Sequence, residues 1–130
     1  MTDGLIETMT TSTSRDPAGF VVQVVKEGVM LDAAAAREDL AASLEFMTEP
    51  GAKLLVDASA YHSLTRSARQ ILVEGSRDRV AFLAIVTGGG LGAVVARFFV
   101  GMYPHGSGSV VKLFGNRSEA KAWLVSQGTS

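Results

Sequence analysis

A mixed α/β domain is predicted for this chain, and three observations predict it. Short apolar runs at Lys53–Asp57, Val80–Val86 and Val110–Phe114 read as buried strands. Between and after them lie segments with helical spacing, about ten residues or longer, which is the length that crossovers of a parallel sheet require. Ahead of them, two strand-like segments flank a turn containing Pro17 and Gly19. The expected architecture is a mixed, mostly parallel sheet of about five strands with an N-terminal antiparallel hairpin, flanked by four helices. A single domain over residues 1–130 is expected, with residues 1–4 and 128–130 as flexible ends.

Composition narrows the function classes. The chain is 47% hydrophobic, which fits a well-filled core. Its net charge of −1 comes from 12 basic and 13 acidic residues, so no basic excess points to nucleic acid. With no cysteine, thiol catalysis, disulfides and thiolate metal sites are excluded. The first residues, MTDGLIETMTTSTSRDP, lack the basic and apolar regions of a signal peptide, and no apolar run reaches the roughly 20 residues of a membrane span. A cytoplasmic protein without an integral membrane segment is the expectation.

The elements follow in order. Leu5 to Thr13 alternates loosely and is rich in threonine, which favours an extended chain. Ser14–Gly19 turns, and Phe20–Val25 forms the second strand of the hairpin. Lys26-Glu27-Gly28 turns again. Asp32 is placed to cap a helix over Ala33–Glu49, with Ala36, Leu40, Leu44 and Met47 as its inward stripe and Arg37, Glu38 and Glu45 outward. Pro50 and Gly51 stop it. After the strand Lys53–Asp57, Thr65 caps a helix over Arg66–Gly75, with Ala68, Ile71 and Leu72 inward and Gly75 ending it. Val110–Phe114 is the last strand. Asn116, with Glu119 three residues on, starts a helix that turns Ala120, Trp123 and Leu124 to the core and ends at Gly128.

The stretch Val80–Tyr103 is the most unusual. The run VAFLAIV lacks alternation, as a strand covered on both faces should. Gly88, Gly89, Gly90 and Gly92 then turn the chain. The predicted helix after them places Leu91, Val94, Val95, Phe98, Phe99 and Met102 on one face. Ala93, Ala96, Val100 and Tyr103 lie on the other, relieved only by Arg97. Such a helix calls for cover on more than one side. Phe99, Val100 and Tyr103 are therefore candidate interface residues, whether toward a second copy, a pocket or the chain itself.

Candidate binding residues gather where the strands end. Gly88-x-Gly90-x-x-Ala93 opens a helix after a strand, the context of a dinucleotide fingerprint. It falls on the fourth strand instead of the first, however, and Gly115 and Asn116 stand where the ribose-binding acid belongs. A simple anion suits this turn better than a nucleotide, and Arg97 either meets an anion, a lipid headgroup or a partner's carboxylate or lays its stem along apolar surface with its head in water. Asp57 and Ser59, near Thr87, Gly88 and Asn116, would line the carboxyl ends of the strands as a small polar site. The structural reading of Asp57 is that it binds backbone N–H groups of its own loop. Asp57, Ser59 and His62 do not make a hydrolase triad, since they share one short loop without a nucleophile elbow. His62 and His105 are the only histidines and have no carboxylate at ligand spacing. No catalytic residue, metal site or cofactor is predicted.

The succession VMLDAAAAREDL, KLLVDASAYHSLTRSARQIL, VAFLAIVTGGGLGAVVARFFVGM and VVKLFGNRSEAKAWL resembles the SpoIIAA-like, or STAS/SEC14-like, family of small bacterial proteins, over roughly residues 20 to 127. Its most specific piece is the ending, Leu113-Phe114 followed by Glu119-Ala120 and Trp123-Leu124. The resemblance implies a mixed sheet flanked by helices, often in a homodimer. STAS domains of anti-sigma-factor antagonists carry a phosphorylated serine where this chain has Arg66, beside Thr65 and Ser67, and their Asp-Ser-x-Gly pattern is absent here. Two functions are expected from this resemblance and from the apolar helix. The first is a non-enzymatic STAS-like interaction or regulatory module. The second is a small-ligand or lipid-binding protein using the Gly88–Gly92 turn and the Leu91–Tyr103 helix.

Overall fold

A computed structural model describes residues 4–47, 51–60, 63–76, 79–87 and 110–127. The chain runs through β1 (Ile6–Glu7), β2 (Thr11–Arg15), β3 (Val21–Val25), β4 (Met30–Leu31) and α1 (Ala33–Glu45). It continues through β5 (Ala52–Asp57), β6 (Ser63–Leu64), α2 (Arg66–Ser76), β7 (Val80–Val86), β8 (Val110–Phe114) and α3 (Arg117–Ser126). Six strands form the main sheet in the order β1-β2-β3-β5-β7-β8. The β1–β2 and β2–β3 pairs are antiparallel, and β3, β5, β7 and β8 are mutually parallel. β4 and β6 make a separate parallel pair.

The apolar runs become strands because both sheet faces are covered. Leu54, Leu83 and Ile85 pack on one face against Phe46 and Met47 at the end of α1. Val25, Leu31, Ala36 and Ala68 continue that layer between α1 and α2. The neighbouring side chains Leu55, Ala84 and Val86 point the other way and meet Phe20 and the α3 residues Ala120 and Leu124. Trp123 closes this side edge-on to Phe82, with ring centroids 6.0 Å apart, and lies 5.6 Å from Phe114. A residue pair such as Leu54 and Leu55 is thus buried on both sides, and the missing alternation in VAFLAIV follows. The helix starts also stand as expected. Asp32, Thr65 and Asn116 accept the N–H groups of Ala35, Ala68 and Glu119 at 2.9, 3.1 and 2.9 Å.

The structure corrects the expected pattern in several places. Among the described residues the main sheet has six strands instead of about five, and there are three helices. The predicted fourth helix, Leu91–Tyr103, falls outside them, as do Gly88–Gly90 and Gly128. The single strand expected over Leu5–Thr13 is broken into β1 and β2. The cause is the Thr8 hydroxyl, which accepts the N–H groups of Thr10 and Thr11 at 3.1 and 2.9 Å, while Thr8 N–H donates to Thr11 O at 2.9 Å. A threonine read as a strand former builds a turn instead. The next turn is also tighter than expected. Arg15 already pairs with Val21, and Asp16 closes the reversal by accepting from Ala18 N–H at 2.9 Å, with Gly19 at φ 105°.

α1 stops at Glu45, short of Glu49, and the predicted stripe is enclosed only in part, at Ala36 and Met47. Leu40 and Leu44 are only partly buried, whereas Asp39 and Ser43 are buried with Ala36 and Ala42. Gly75 does not end α2, which runs on to Ser76. A Cβ at Gly75 would lie 2.1 Å from Leu40 Cδ2, so the glycine sets how closely α2 approaches α1.

Asp39, at 1% exposure, anchors the N-terminal hairpin. Its Oδ1 accepts the Thr8 and Thr11 hydroxyls at 2.6 and 2.8 Å, and its Oδ2 accepts the Thr10 hydroxyl at 2.6 Å. The Thr8 hydroxyl donates its one proton to this carboxylate while accepting the two backbone N–H groups of its turn. Gln23 Nε2 adds bonds to the Asp39 carbonyl at 2.8 Å and to Thr13 Oγ1 at 3.0 Å. These polar bonds join the hairpin to α1 beside the apolar contacts of Val21 and Val25.

Candidate functional site

Parallel pairing brings the ends of β5, β7 and β8 into line, with Asp57 opposite Val86 and Val86 opposite Phe114. The first loop residues extend this alignment. Ala58 N–H donates to Val86 O at 2.8 Å, and Thr87 N–H donates to Phe114 O at 2.9 Å. Asp57, Ser59, Thr87 and Asn116 therefore collect along one edge of the sheet.

Within this group the Asp57 carboxylate is the organising charge. It is 9% exposed. Oδ1 accepts the Ser59 hydroxyl at 2.6 Å and the Ser59 N–H at 3.0 Å. Oδ2 accepts Arg117 Nε at 2.7 Å, an ion pair whose arginine is half-exposed. Burial pushes the Asp57 carboxyl up, but the two Ser59 bonds and the Arg117 guanidinium together outweigh it and hold the carboxyl below its ordinary value. The carboxylate is thus charged at neutral pH and engaged by donors of its own chain.

Asp57 and Ser59 are the predicted pair that the structure brings into contact. Thr87 is buried beside them, and Asn116 caps α3 through its side chain. Thr65 caps α2, with Ser67 Oγ 3.4 Å away in the first turn. Gly88, Gly89, Gly90, Arg97, Phe99, Val100 and Tyr103, with His62 and His105, lie outside the described residues. Among those described, no three His, Asp or Glu side chains converge as metal ligands, and no helix is long and apolar enough to cross a membrane.

Sequence reading missed Arg117. A signal for it exists: a cation in the first turn of a helix opposes the helix dipole, so its presence there asks for a carboxylate in compensation. Asp57 supplies it from a strand far back in the chain. α3 is held a second time by Lys121, whose Nζ is 3.1 Å from Asp16 Oδ1 in the β2–β3 turn.

This arrangement, a mixed sheet with an antiparallel N-terminal hairpin and helices on both faces, defines a SpoIIAA-like α/β fold. A crystal structure of an uncharacterized protein of the DUF3478 family with a SpoIIAA-like fold, from Shewanella loihica PV-4, matches with a TM-score of 0.61. The match covers 93% of this chain and 99% of that one at 17% identity, which establishes likeness of fold. The chain belongs to the family of the domain of unknown function DUF7793, whose model matches residues 17–127. No curated protein matches it. The family match begins after β2, so the threonine donors to Asp39 lie outside it while Asp39 lies inside.

Proposed function

We propose that the protein is a non-enzymatic STAS-like interaction or regulatory module that works as a homodimer in the cytoplasm. The observation that supports this reading is the state of Asp57. At the sheet edge where α/β proteins place their ligand chemistry, the buried carboxylate is engaged by Ser59 and Arg117. A base free to take a proton from a substrate needs an open lone pair and a raised pKa, whereas Asp57 is lowered. Its bonds hold a loop and a helix start in fixed relation, as a recognition surface requires. The SpoIIAA-like fold of the neighbouring structure is in keeping with this reading. Native mass spectrometry of the purified protein tests it. The expected result is a dimer mass with nothing retained, and a stoichiometric small molecule carried by the protein would overturn it in favour of ligand binding.

A further inference from the structure

A groove of about 790 Å³ runs between the tip of the β1–β2 hairpin and α1, open to solvent along its length. Its floor is made of small residues, Ala41 and Ala42, and Ile6 and Met9 form the opposite wall. Met9 is 86% exposed, an unusual position for a large apolar side chain. Glu38 and Glu45 stand at the two ends of the floor, on the same α1 stripe. Two helical turns separate them, about 10 Å along the axis.

The charges of this groove do not balance. Lys26 is its one cation, and Lys26 Nζ is already held by Glu7 Oε1 at 2.9 Å and by the Thr8 carbonyl at 2.6 Å. Among the described residues, Glu38 and Glu45 have no ion-pair partner. An open trough buries too little of a small molecule to hold it, since ligand sites enclose most of their ligand's surface. A helix fits better: alanines let two helices approach closely, and a flexible methionine at the rim adapts to the side chains that arrive.

We propose that this groove docks a basic amphipathic helix of a partner protein. The helix lays its apolar face over Ala41 and Ala42 beside Met9 and places lysine or arginine against Glu38 and Glu45. The proposal rests on the reading of the protein as an interaction module and names the surface and the partner chemistry.

Fluorescence anisotropy tests it with a labelled helical peptide that has leucines on one face and lysines two turns apart. A second peptide carries glutamates in place of the lysines. The lysine peptide should bind roughly tenfold or more tightly than the glutamate peptide, and less tightly as salt rises. The double variant Glu38→Lys/Glu45→Lys, both positions exposed and its fold checked by circular dichroism, should reverse the preference. Failure of the lysine peptide to bind overturns the groove, as does equal binding of the two peptides. A preference that survives the double variant also overturns it but leaves the interaction module standing, because the peptide then sits elsewhere. A wild-type dimer that the double variant converts to monomer in light scattering assigns the groove to a second copy and overturns the partner helix. The module reading itself falls separately, on a small molecule retained in native mass spectrometry.

Discussion

Asp39 and Asp57 are both carboxylates withdrawn from water, and the chain serves them in different ways. Asp39 takes three hydroxyl protons from one short turn, Thr8 to Thr11, and has no ion pair among the described residues. Asp57 takes a hydroxyl and an N–H from the adjacent loop, then a guanidinium from a helix far along the sequence. Neutral donors fixed in three directions give Asp39 geometric control over a hairpin, and the bonds gain strength from exclusion of water. The half-exposed Arg117 gives Asp57 a looser, solvent-screened tie across the sheet edge. One carboxylate works as an anchor and the other as a clasp.

The largest expected effect tests the anchor. Asp39→Ala should lower stability by about 3 kcal/mol, because three hydroxyl donors lose their shared acceptor, two of them in a buried setting. Urea unfolding measures the loss, and hydrogen exchange should show the β1–β2 amides losing protection ahead of β5 and β7. A loss below about 1 kcal/mol would mean that the threonine hydroxyls find other partners and that the anchor is no stronger than the clasp. Replacing the cation of the clasp should do less. Arg117→Met should cost about 1 kcal/mol, after allowance for solvent screening, and should leave the protection of β1 and β2 unchanged.

Acid gives the smallest and most specific effect. The folded Asp57 carboxyl sits below its ordinary value, so its contribution is complete above the unfolded pKa, near 4, and fades as pH falls through the folded value. Thermal melts of the parent and of Asp57→Asn should therefore differ by a constant amount from neutral pH to about pH 5 and converge below about pH 4. Parallel curves down to the lowest pH would remove the charge from the account of this clasp.

The contrast also shows what a sequence reveals. Val80–Val86 and Val110–Phe114 occupy the residues predicted for them, because an apolar run between turn residues needs no distant information. The caps Asp32, Thr65 and Asn116 were legible for the same reason, since donor and acceptor lie three residues apart. Asp57 and Ser59 were legible as neighbours. Asp39 was not: on a helical wheel it reads as one more polar residue, and its partners lie about thirty positions earlier among threonines that suggest a strand. Gly75 misled in the opposite direction. Its type suggests a helix stop, while its purpose is set by Leu40 on another helix. Arg117 stood between, hinted at by its unfavourable place in the helix dipole but without a visible partner.

The position of α3 in the order of synthesis has a consequence for how the chain is made. Leu55, Ala84 and Val86 belong to strands from the middle of the sequence, yet Ala120 and Leu124 that cover them are translated later. A growing chain can form the β2–β3 hairpin and lay α1 and α2 on one face while this second face stays uncovered by α3. Until residues 117–126 clear the ribosome, the apolar side of β5 and β7 lacks its helix and is open to chaperones or to neighbouring chains. Protein truncated within α3 would keep Leu55, Ala84 and Val86 without Ala120 and Leu124, so it should aggregate more readily than the full chain.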